Sequence, residues 1–423
     1  MSKVQDKIYP VLGAVVVSSA IFLWPLEIGL PHYDVGINVY LAIIALAVYT
    51  PYIVRDFNPF PLMLSGVFIL HQLIWMLING FDFRSILMCT VFIIYFYGIY
   101  YSLFFCFKDN FFLLKETILV FLTAQLCLQA LQIFGLFSFY NFDTVRQYVF
   151  GSIGATGFYG EGSHAALSLV PLMFLKDSRG RHLNVYSILA GLSLFLGISS
   201  TAVLGSLLLF VLLILKVNSG RRIALAALVI VGLLTVVVVG GQIFHLAPFS
   251  QLAARIWGIF QILGGESGPS VNLSSLVYAN GVDMAWSGLK DIFGSGLGHF
   301  NIYFADSIAR TAIEQIVSGP LNKDDGSVVL LKMIGEMGLF GLAIVVYFVF
   351  SSLAIITKYG DCILSVIASF LIMAGIRSAG YFHGPYILSF ALVGLLWQMG
   401  GLWPQGPFNR QTDLNNAMQF TRA

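Results

Sequence analysis

The chain of 423 residues is 58% hydrophobic and only 10% charged, with a net charge of +2. Soluble domains carry about 25% charged residues, so this composition excludes an ordinary soluble protein and predicts an all-α integral membrane protein with many spans. The small net charge gives no support to nucleic-acid binding, and no nucleic acid is expected as a partner.

Apolar segments of the length of membrane helices follow one another along the chain. A helix needs about 20 apolar residues to cross the hydrocarbon, and the segments predict about 12 transmembrane helices. The sixth, seventh and eighth are short or run together, which leaves their number open. The bounds are residues 8–25, 36–54, 60–79, 85–107, 116–139, 164–176, 184–199, 201–216, 223–241, 328–357, 362–378 and 386–403.

These spans divide the chain into four parts with a predicted sidedness. With the N-terminus in the cytoplasm, most of the 22 lysines and arginines fall on the cytoplasmic side, as the positive-inside bias requires. Both termini are therefore expected inside. The parts are residues 1–241 with nine helices and short loops, the long external segment 242–327, residues 328–404 with three helices, and a cytoplasmic tail at 405–423.

The cytoplasmic connections are short and basic, with no room for a catalytic domain. No G-x-x-x-x-G-K-[ST] sequence occurs, so no phosphate-binding loop is predicted there. Neither a nucleotide nor another cofactor is expected.

The external segment from Gln242 to Ser327 contains helical patterns. Apolar residues recur at helical spacing from Val282 to Phe293, after a predicted N-terminal cap at Ser274 and Ser275. Amphipathic helices that lie on the outer membrane face or fold over a cavity are expected. Weaker helical patterns cover residues 247–263 and 299–317.

Four arginines fall on the predicted outer face: Arg146, Arg255, Arg310 and Arg377. A guanidinium group donates two parallel hydrogen bonds to a phosphate and stays charged at any relevant pH. Taken singly, each arginine is better explained as a headgroup anchor or an ion-pair partner. Together, in a chain so poor in charge, the four predict a binding site for an anionic group.

Glu161 is the first candidate for acid–base chemistry. It stands with Tyr159 and His164 at the outer end of the sixth predicted span, where a carboxylate is costly unless it faces water or a cation. A general base or a substrate-orienting group is one interpretation. The other is a helix N-terminus that Glu161 and Ser163 complement.

Two further polar sites accompany the long segment. His299 follows a glycine turn and is either a base, a hydrogen-bond donor or a structural histidine. Asp324 and Asp325 could bind a cation or cap a helix, but two carboxylates do not make a metal site, and no metal is expected.

Residues 157–163, which read G-F-Y-G-E-G-S, resemble the G-F-aromatic-x-E-P-S stretch of bacterial O-antigen polymerases. Arg146, eleven positions before Gly157, is similar to an arginine of the family's outer loops. The Trp286 helix that leads into G-x-G-x-G at 294–298 resembles another element of the family. Ser327 followed by Glu336-x-Gly338-x-x-Gly341 matches a last element, shared with O-antigen ligases.

The chain also departs from the family pattern. Gly162 stands where the family has proline, and the arginine expected before the Trp286 helix is absent, which leaves Arg255 or Arg310 as its substitute. Ser327 occupies the place of the ligase histidine, which favours a polymerase over a ligase.

The resemblance implies an inverting, metal-independent glycosyltransferase at the periplasmic face of the bacterial inner membrane. It would join repeat units carried on undecaprenyl pyrophosphate, with these glycans, membrane lipids and a chain-length regulator protein as partners. The catalytic candidates are Glu161 as base, His299 as second choice and Arg146. The substrate-binding candidates are Arg146, Arg255, Arg310, Arg377, Tyr159, His164 and Asp325.

Two alternatives stay open. One is an O-antigen ligase, or a capsule or exopolysaccharide polymerase of the same superfamily. The other is a 12-span transporter, which the long external segment disfavours because it breaks the symmetry between halves that transporters often show.

Overall fold

The computed structural model describes residues 5–30, 33–55, 58–139, 155–176, 184–197, 199–215, 247–266 and 268–399, except positions 269, 308, 318, 320, 322, 325, 360, 361 and 379. These residues are predominantly helical. Five of their helices are long and apolar enough to cross a membrane, as expected of a multi-pass membrane protein.

The first half of the described chain forms eight helices and one small hairpin. In chain order they are α1 (Gln5–Phe22), β1 (Glu27–Leu30), β2 (Tyr33–Gly36), α2 (Ile37–Arg55), α3 (Pro59–Asn79), α4 (Phe83–Lys108), α5 (Phe112–Ile133), α6 (Gly162–Met173), α7 (Val185–Leu196) and α8 (Ser200–Leu215).

The second half contains the remaining helices. They are α9 (Ala247–Leu263), α10 (Leu273–Lys290), a 3-10 helix (Phe300–Asp306), α11 (Arg310–Val317), α12 (Val329–Tyr359), α13 (Ile363–Ala374) and α14 (Gly384–Gln398).

A helix lies in every predicted span except the ninth, residues 223–241, which is outside the described residues. The five long apolar helices are α2, α3, α4, α5 and α12. By contrast, α6, α7 and α13 have 12 residues each. At 1.5 Å per residue they extend only about 18 Å, short of a hydrocarbon layer of about 30 Å. The figure of 12 crossings therefore stays a prediction.

A hairpin between α1 and α2 is an addition to the predicted all-helical fold. Strands β1 and β2 pair antiparallel, with Glu27 opposite Gly36 and Leu30 opposite Tyr33. The segment lies between two predicted spans, where the sequence analysis expected only a loop.

The centre of the bundle is formed by α13 and α14. Residues 384–396 of α14 are all buried, and α13 packs against α6, α12 and α14. The outer faces of α2 and α3 instead expose apolar side chains such as Val54 and Leu77. An apolar surface of this kind is typical of helices that contact lipid.

Helix α12 is broken at Gly338, although the sequence predicted one continuous span at 328–357. Gly338 has φ 58° and ψ −131°, a conformation that residues with a Cβ rarely adopt. The glycine turn after α10 docks at this break: the Leu339 N–H donates to the Ile292 carbonyl at 2.8 Å, and the Gly296 N–H donates to the Glu336 carbonyl at 2.9 Å. Backbone groups of the glycine turn thus form hydrogen bonds with N–H and C=O groups at the break, as an apolar environment requires.

The described part of segment 242–327 has the predicted helical content, with a different start for α10. Asn272 caps this helix, because its side chain accepts a hydrogen bond from the Ser274 N–H at 3.1 Å. The predicted cap at Ser274 and Ser275 is therefore wrong by two positions. Helix α9 packs against α8 and α10, while α10 packs along α12.

Candidate functional site

A cavity of about 670 Å³ opens where five parts of the fold meet. They are the starts of α6 and α8, one face of α9, the start of α10, and the residues that follow α13. Three of the predicted catalytic or substrate-binding residues line it: Glu161, Arg255 and Arg377. Many of the other lining side chains carry a hydroxyl group.

Glu161 and Arg377 form an ion pair inside this cavity. An Arg377 Nη atom donates to Glu161 Oε2 at 3.2 Å, and the Ser163 hydroxyl donates to the same oxygen at 2.8 Å. Both charged side chains reach solvent, with 53% of the Glu161 side chain and 26% of the Arg377 side chain exposed. The carboxylate is thus held in place but accessible to a ligand.

The position of Glu161 bears on the two interpretations of its carboxylate. Glu161 is the N-cap residue of α6, but its side chain makes no capping hydrogen bond to the backbone of the helix. It is turned towards Arg377 and Ser163 instead. The local geometry therefore favours a role in the cavity over a role as a cap.

The surroundings of Glu161 favour its ionised form. Burial opposes ionisation, but the neighbouring His164 and Arg377 and the Ser163 hydroxyl outweigh it, and the pKa of Glu161 lies below its ordinary value. The carboxylate is therefore charged at neutral pH and able to accept a proton or a hydrogen bond.

Arg255 reaches the cavity from α9. Its Nη1 atom donates to the Thr201 hydroxyl at 3.3 Å, and its own carbonyl accepts from the Ser275 hydroxyl at 2.9 Å. Burial, followed by the like charge of Arg377, lowers the pKa of Arg255, while Glu161 raises it. Guanidinium remains protonated in proteins, so two cations act on this cavity.

Helices α6 and α8 both begin at the cavity wall, at Gly162 and Ser200. The first N–H groups of a helix have no partner within the helix, and its N-terminus carries a partial positive charge. Among the described residues, the buried Ser200 hydroxyl has no hydrogen-bond partner. These features make the wall suitable for an anion with several oxygen atoms.

Three glutamines of α5 hold the loop before Glu161, and the sequence analysis missed them. The Gln132 side-chain oxygen accepts from the N–H groups of Thr156 and Gly157, both at 2.8 Å. Gln125 accepts from the Phe158 N–H at 2.8 Å, and Gln129 donates to the Ala155 carbonyl at 2.7 Å.

The sequence contains a pattern that could have identified them: the three glutamines recur at intervals of four and three positions, which is helical spacing, within an apolar segment. Because all three are buried, their hydrogen bonds replace water as the partners of the loop backbone. They thereby fix the chain that carries Glu161 to the cavity.

His164 lies behind Glu161 and does not line the cavity. Its ring centroid is 5.0 Å from that of Trp24 and 6.0 Å from that of His383. Burial and nearby cationic groups lower the pKa of His383 well below its ordinary value. The contacts with Trp24 and His383 place His164 in the wall behind Glu161. The sequence had instead predicted that His164 contacts the substrate directly.

Tyr159 was also expected to contact substrate, but it lies in the core. Its side chain is fully buried, its hydroxyl donates to the Ile21 carbonyl at 3.3 Å, and its ring packs against Trp24. The aromatic ring packs the loop against α1 because burial of so large a side chain is favourable.

His299 is separate from this cavity. It lies beside the start of α4, where its Nδ1 atom is 3.7 Å from an Asp82 carboxylate oxygen and its ring stacks on Trp75. His299, the second choice for the base, therefore does not lie with Glu161, Arg255 and Arg377.

The four arginines predicted on the outer face do not all converge on this cavity. Arg310 lies in α11 and pairs with Glu314 at 3.0 Å, away from the cavity. Its charge is satisfied within its own helix, one turn further on. Arg146 and Asp325 lie outside the described residues. The predicted anionic site thus contains Arg255 and Arg377.

A second polar cluster holds the glycine turn against α12. Glu336 is fully buried, and one of its carboxylate oxygens accepts from the Phe300 N–H at 3.2 Å. Lys332 lies 3.8 Å from the same carboxylate and donates to the Asp324 carbonyl at 2.8 Å. The motif with Glu336 therefore joins segment 242–327 to the broken helix α12.

No protein-family model matches the chain, and no curated protein is significantly similar to it. Within the described part of the chain, no three histidine, cysteine, aspartate or glutamate side chains are grouped as metal ligands. The cavity is therefore the basis for a functional proposal.

Proposed function

We propose that this protein is a membrane glycosyltransferase that joins saccharide units carried on a polyprenyl pyrophosphate, as an O-antigen polymerase does. One observation carries the proposal: a carboxylate and two guanidinium groups from three distant segments, Glu161, Arg255 and Arg377, line one cavity.

The chemistry matches this set of side chains. In transfer from a lipid pyrophosphate, the acceptor hydroxyl attacks the anomeric carbon, its oxygen–carbon bond forms, and the bond from that carbon to the pyrophosphate oxygen breaks. Arg255 and Arg377 stabilise the charge that develops on the departing pyrophosphate. Glu161 accepts the proton of the attacking hydroxyl. Displacement in a single step inverts the anomeric configuration.

The surroundings of the cavity suit an amphiphilic substrate. Its volume lies within the range of about 300–1,000 Å³ of small-molecule sites. On the outer face of α9, Trp257 and Phe260 expose 66% and 62% of their surfaces, and exposed aromatic residues are enriched where proteins meet the membrane interface. A polyprenyl chain could remain in lipid while its pyrophosphate and sugar enter the cavity.

The test is reconstitution of the purified chain in liposomes with an undecaprenyl-pyrophosphate-linked repeat unit. We expect a ladder of lipid-linked products separated by one repeat unit, with inverted linkage at the new bond. Transfer of preformed polymer to lipid A core, without a ladder, would identify a ligase instead. Passage of the substrate across the bilayer without any product would identify a transporter and refute the proposal.

A further inference from the structure

We propose that the Glu161 carboxylate occupies the anion position of Arg377 in the substrate-free protein, and that a pyrophosphate group binds by displacing it. This inference deepens the proposed function and depends on it for the identity of the natural ligand. The binding step itself concerns only the anion.

Glu161 is held in the cavity by weak and accessible contacts. Its carboxylate receives the Arg377 and Ser163 hydrogen bonds through one oxygen, Oε2. Its side chain makes no capping bond to α6 and is half-exposed. Departure of the carboxylate therefore breaks two hydrogen bonds on an accessible surface and leaves the backbone of α6 unchanged.

The charges of the cavity are not balanced among the described residues. Arg255 donates to a neutral hydroxyl, that of Thr201, and among the described residues it has no acidic partner within 4 Å. Two guanidinium groups thus face one carboxylate. A pyrophosphate diester carries two negative charges and matches the two cations once Glu161 has left.

Arg377 can bind a pyrophosphate more strongly than it binds the Glu161 carboxylate. Ion pairs between exposed side chains are weak, because water and salt screen them. A guanidinium group binds phosphate through paired, charge-assisted hydrogen bonds, which are stronger and more directional. Glu161 accepts one hydrogen bond from Arg377, whereas a pyrophosphate can accept two from the same guanidinium group, and this difference favours the exchange.

The exchange links binding to the proposed acid–base role of Glu161. While Arg377 holds the carboxylate, its positive charge lowers the affinity of Glu161 for a proton. Once the pyrophosphate neutralises Arg377, the free carboxylate is a stronger base, and it lies beside the donor. The base would thus become active only when the leaving group is in place.

Binding of inorganic pyrophosphate to the purified full-length protein, by isothermal titration at constant pH and ionic strength, tests this inference. Glu161→Gln removes the competing charge and keeps the shape of the side chain. We expect it to bind pyrophosphate roughly tenfold more tightly than the wild type. Glu314→Gln removes a carboxylate paired with Arg310 outside the cavity and should leave the affinity unchanged.

Equal or weaker pyrophosphate binding by Glu161→Gln would overturn the inference, as would the absence of binding in both proteins. If Glu161→Gln does not fold, Glu161→Asp decides the matter. Its carboxylate is one methylene group shorter and should weaken the 3.2 Å bond to Arg377, so this variant should bind pyrophosphate more tightly than the wild type does. An unchanged affinity would also overturn the inference.

The two proposals can fail separately. Tighter binding by Glu161→Gln in a protein that extends no lipid-linked saccharide would retain the displacement and reject the glycosyltransferase. A wild-type protein that builds ladders, with no gain of affinity in Glu161→Gln, would reject only the displacement.

Discussion

Replacement of Arg377 by alanine should reduce glycosyl transfer far more than it reduces stability. Arg377 follows α13 and reaches into the cavity, where it pairs with Glu161 at 3.2 Å. Because this ion pair is partly exposed, its loss should lower the free energy of unfolding by at most about 1 kcal/mol.

The expected loss of activity follows from the two bonds that a guanidinium group makes with phosphate. Hydrogen bonds to charged groups contribute about 1.5–3 kcal/mol each. Two bonds at the lower end of this range give about 3 kcal/mol, or roughly a 100-fold lower kcat/KM. Lysine at this position keeps the charge without the paired geometry, so Arg377→Lys should fall between the alanine variant and the wild type.

The assay is the rate of ladder formation in liposomes, with thermal unfolding in detergent measured on the same preparations. Arg310→Ala is the matched control, since Arg310 pairs with Glu314 outside the cavity. It should retain activity. A rate within a few-fold of the wild type in Arg377→Ala would refute the assignment of Arg377 to the leaving group.

Three further predictions concern the scaffold and the charge of the site. Gly338→Ala should lower the free energy of unfolding by about 3 kcal/mol. Gly338 has a positive φ, and a Cβ at this position would overlap the Ile292 carbonyl oxygen. Thermal unfolding in detergent measures the loss. Gln132→Leu should cost about 2–4 kcal/mol in the same measurement, since two buried backbone N–H groups lose their acceptor. The lowered pKa of Glu161 means that its ion pair stabilises the protein above the ordinary carboxyl pKa of 4.5 and loses this effect as the pH falls through the lower folded value. Acid unfolding followed by intrinsic fluorescence should therefore be less steep in Glu161→Gln.

Each of these predictions has a control or a contrary outcome. Gly66→Ala, at a position in α3 where a Cβ meets nothing within 4 Å, should not lower the unfolding midpoint. Gln132→Leu with wild-type stability would show that water replaces the lost acceptor. Identical acid unfolding of Glu161→Gln and the wild type would contradict the lowered pKa.

The sequence predicted much of the local structure. Apolar segments mark all the described helices of the bundle, because burial in lipid or core selects them residue by residue. The glycines at 294, 296 and 298 predicted a turn, and all three adopt positive φ. The break at Gly338 was missed, because a glycine in an apolar segment is compatible with a continuous helix.

Only the tertiary structure shows which of the candidate residues line the cavity. Glu161 and Arg377 are 216 positions apart, and Arg310 was as good a candidate as Arg255 by residue type and sidedness. Packing of α9 against α8 and α10 brings Arg255 to the cavity, whereas Arg310 and His299 find partners elsewhere. Composition and periodicity determine which segments are buried, but the convergence of charges depends on contacts between distant helices, which no local pattern encodes.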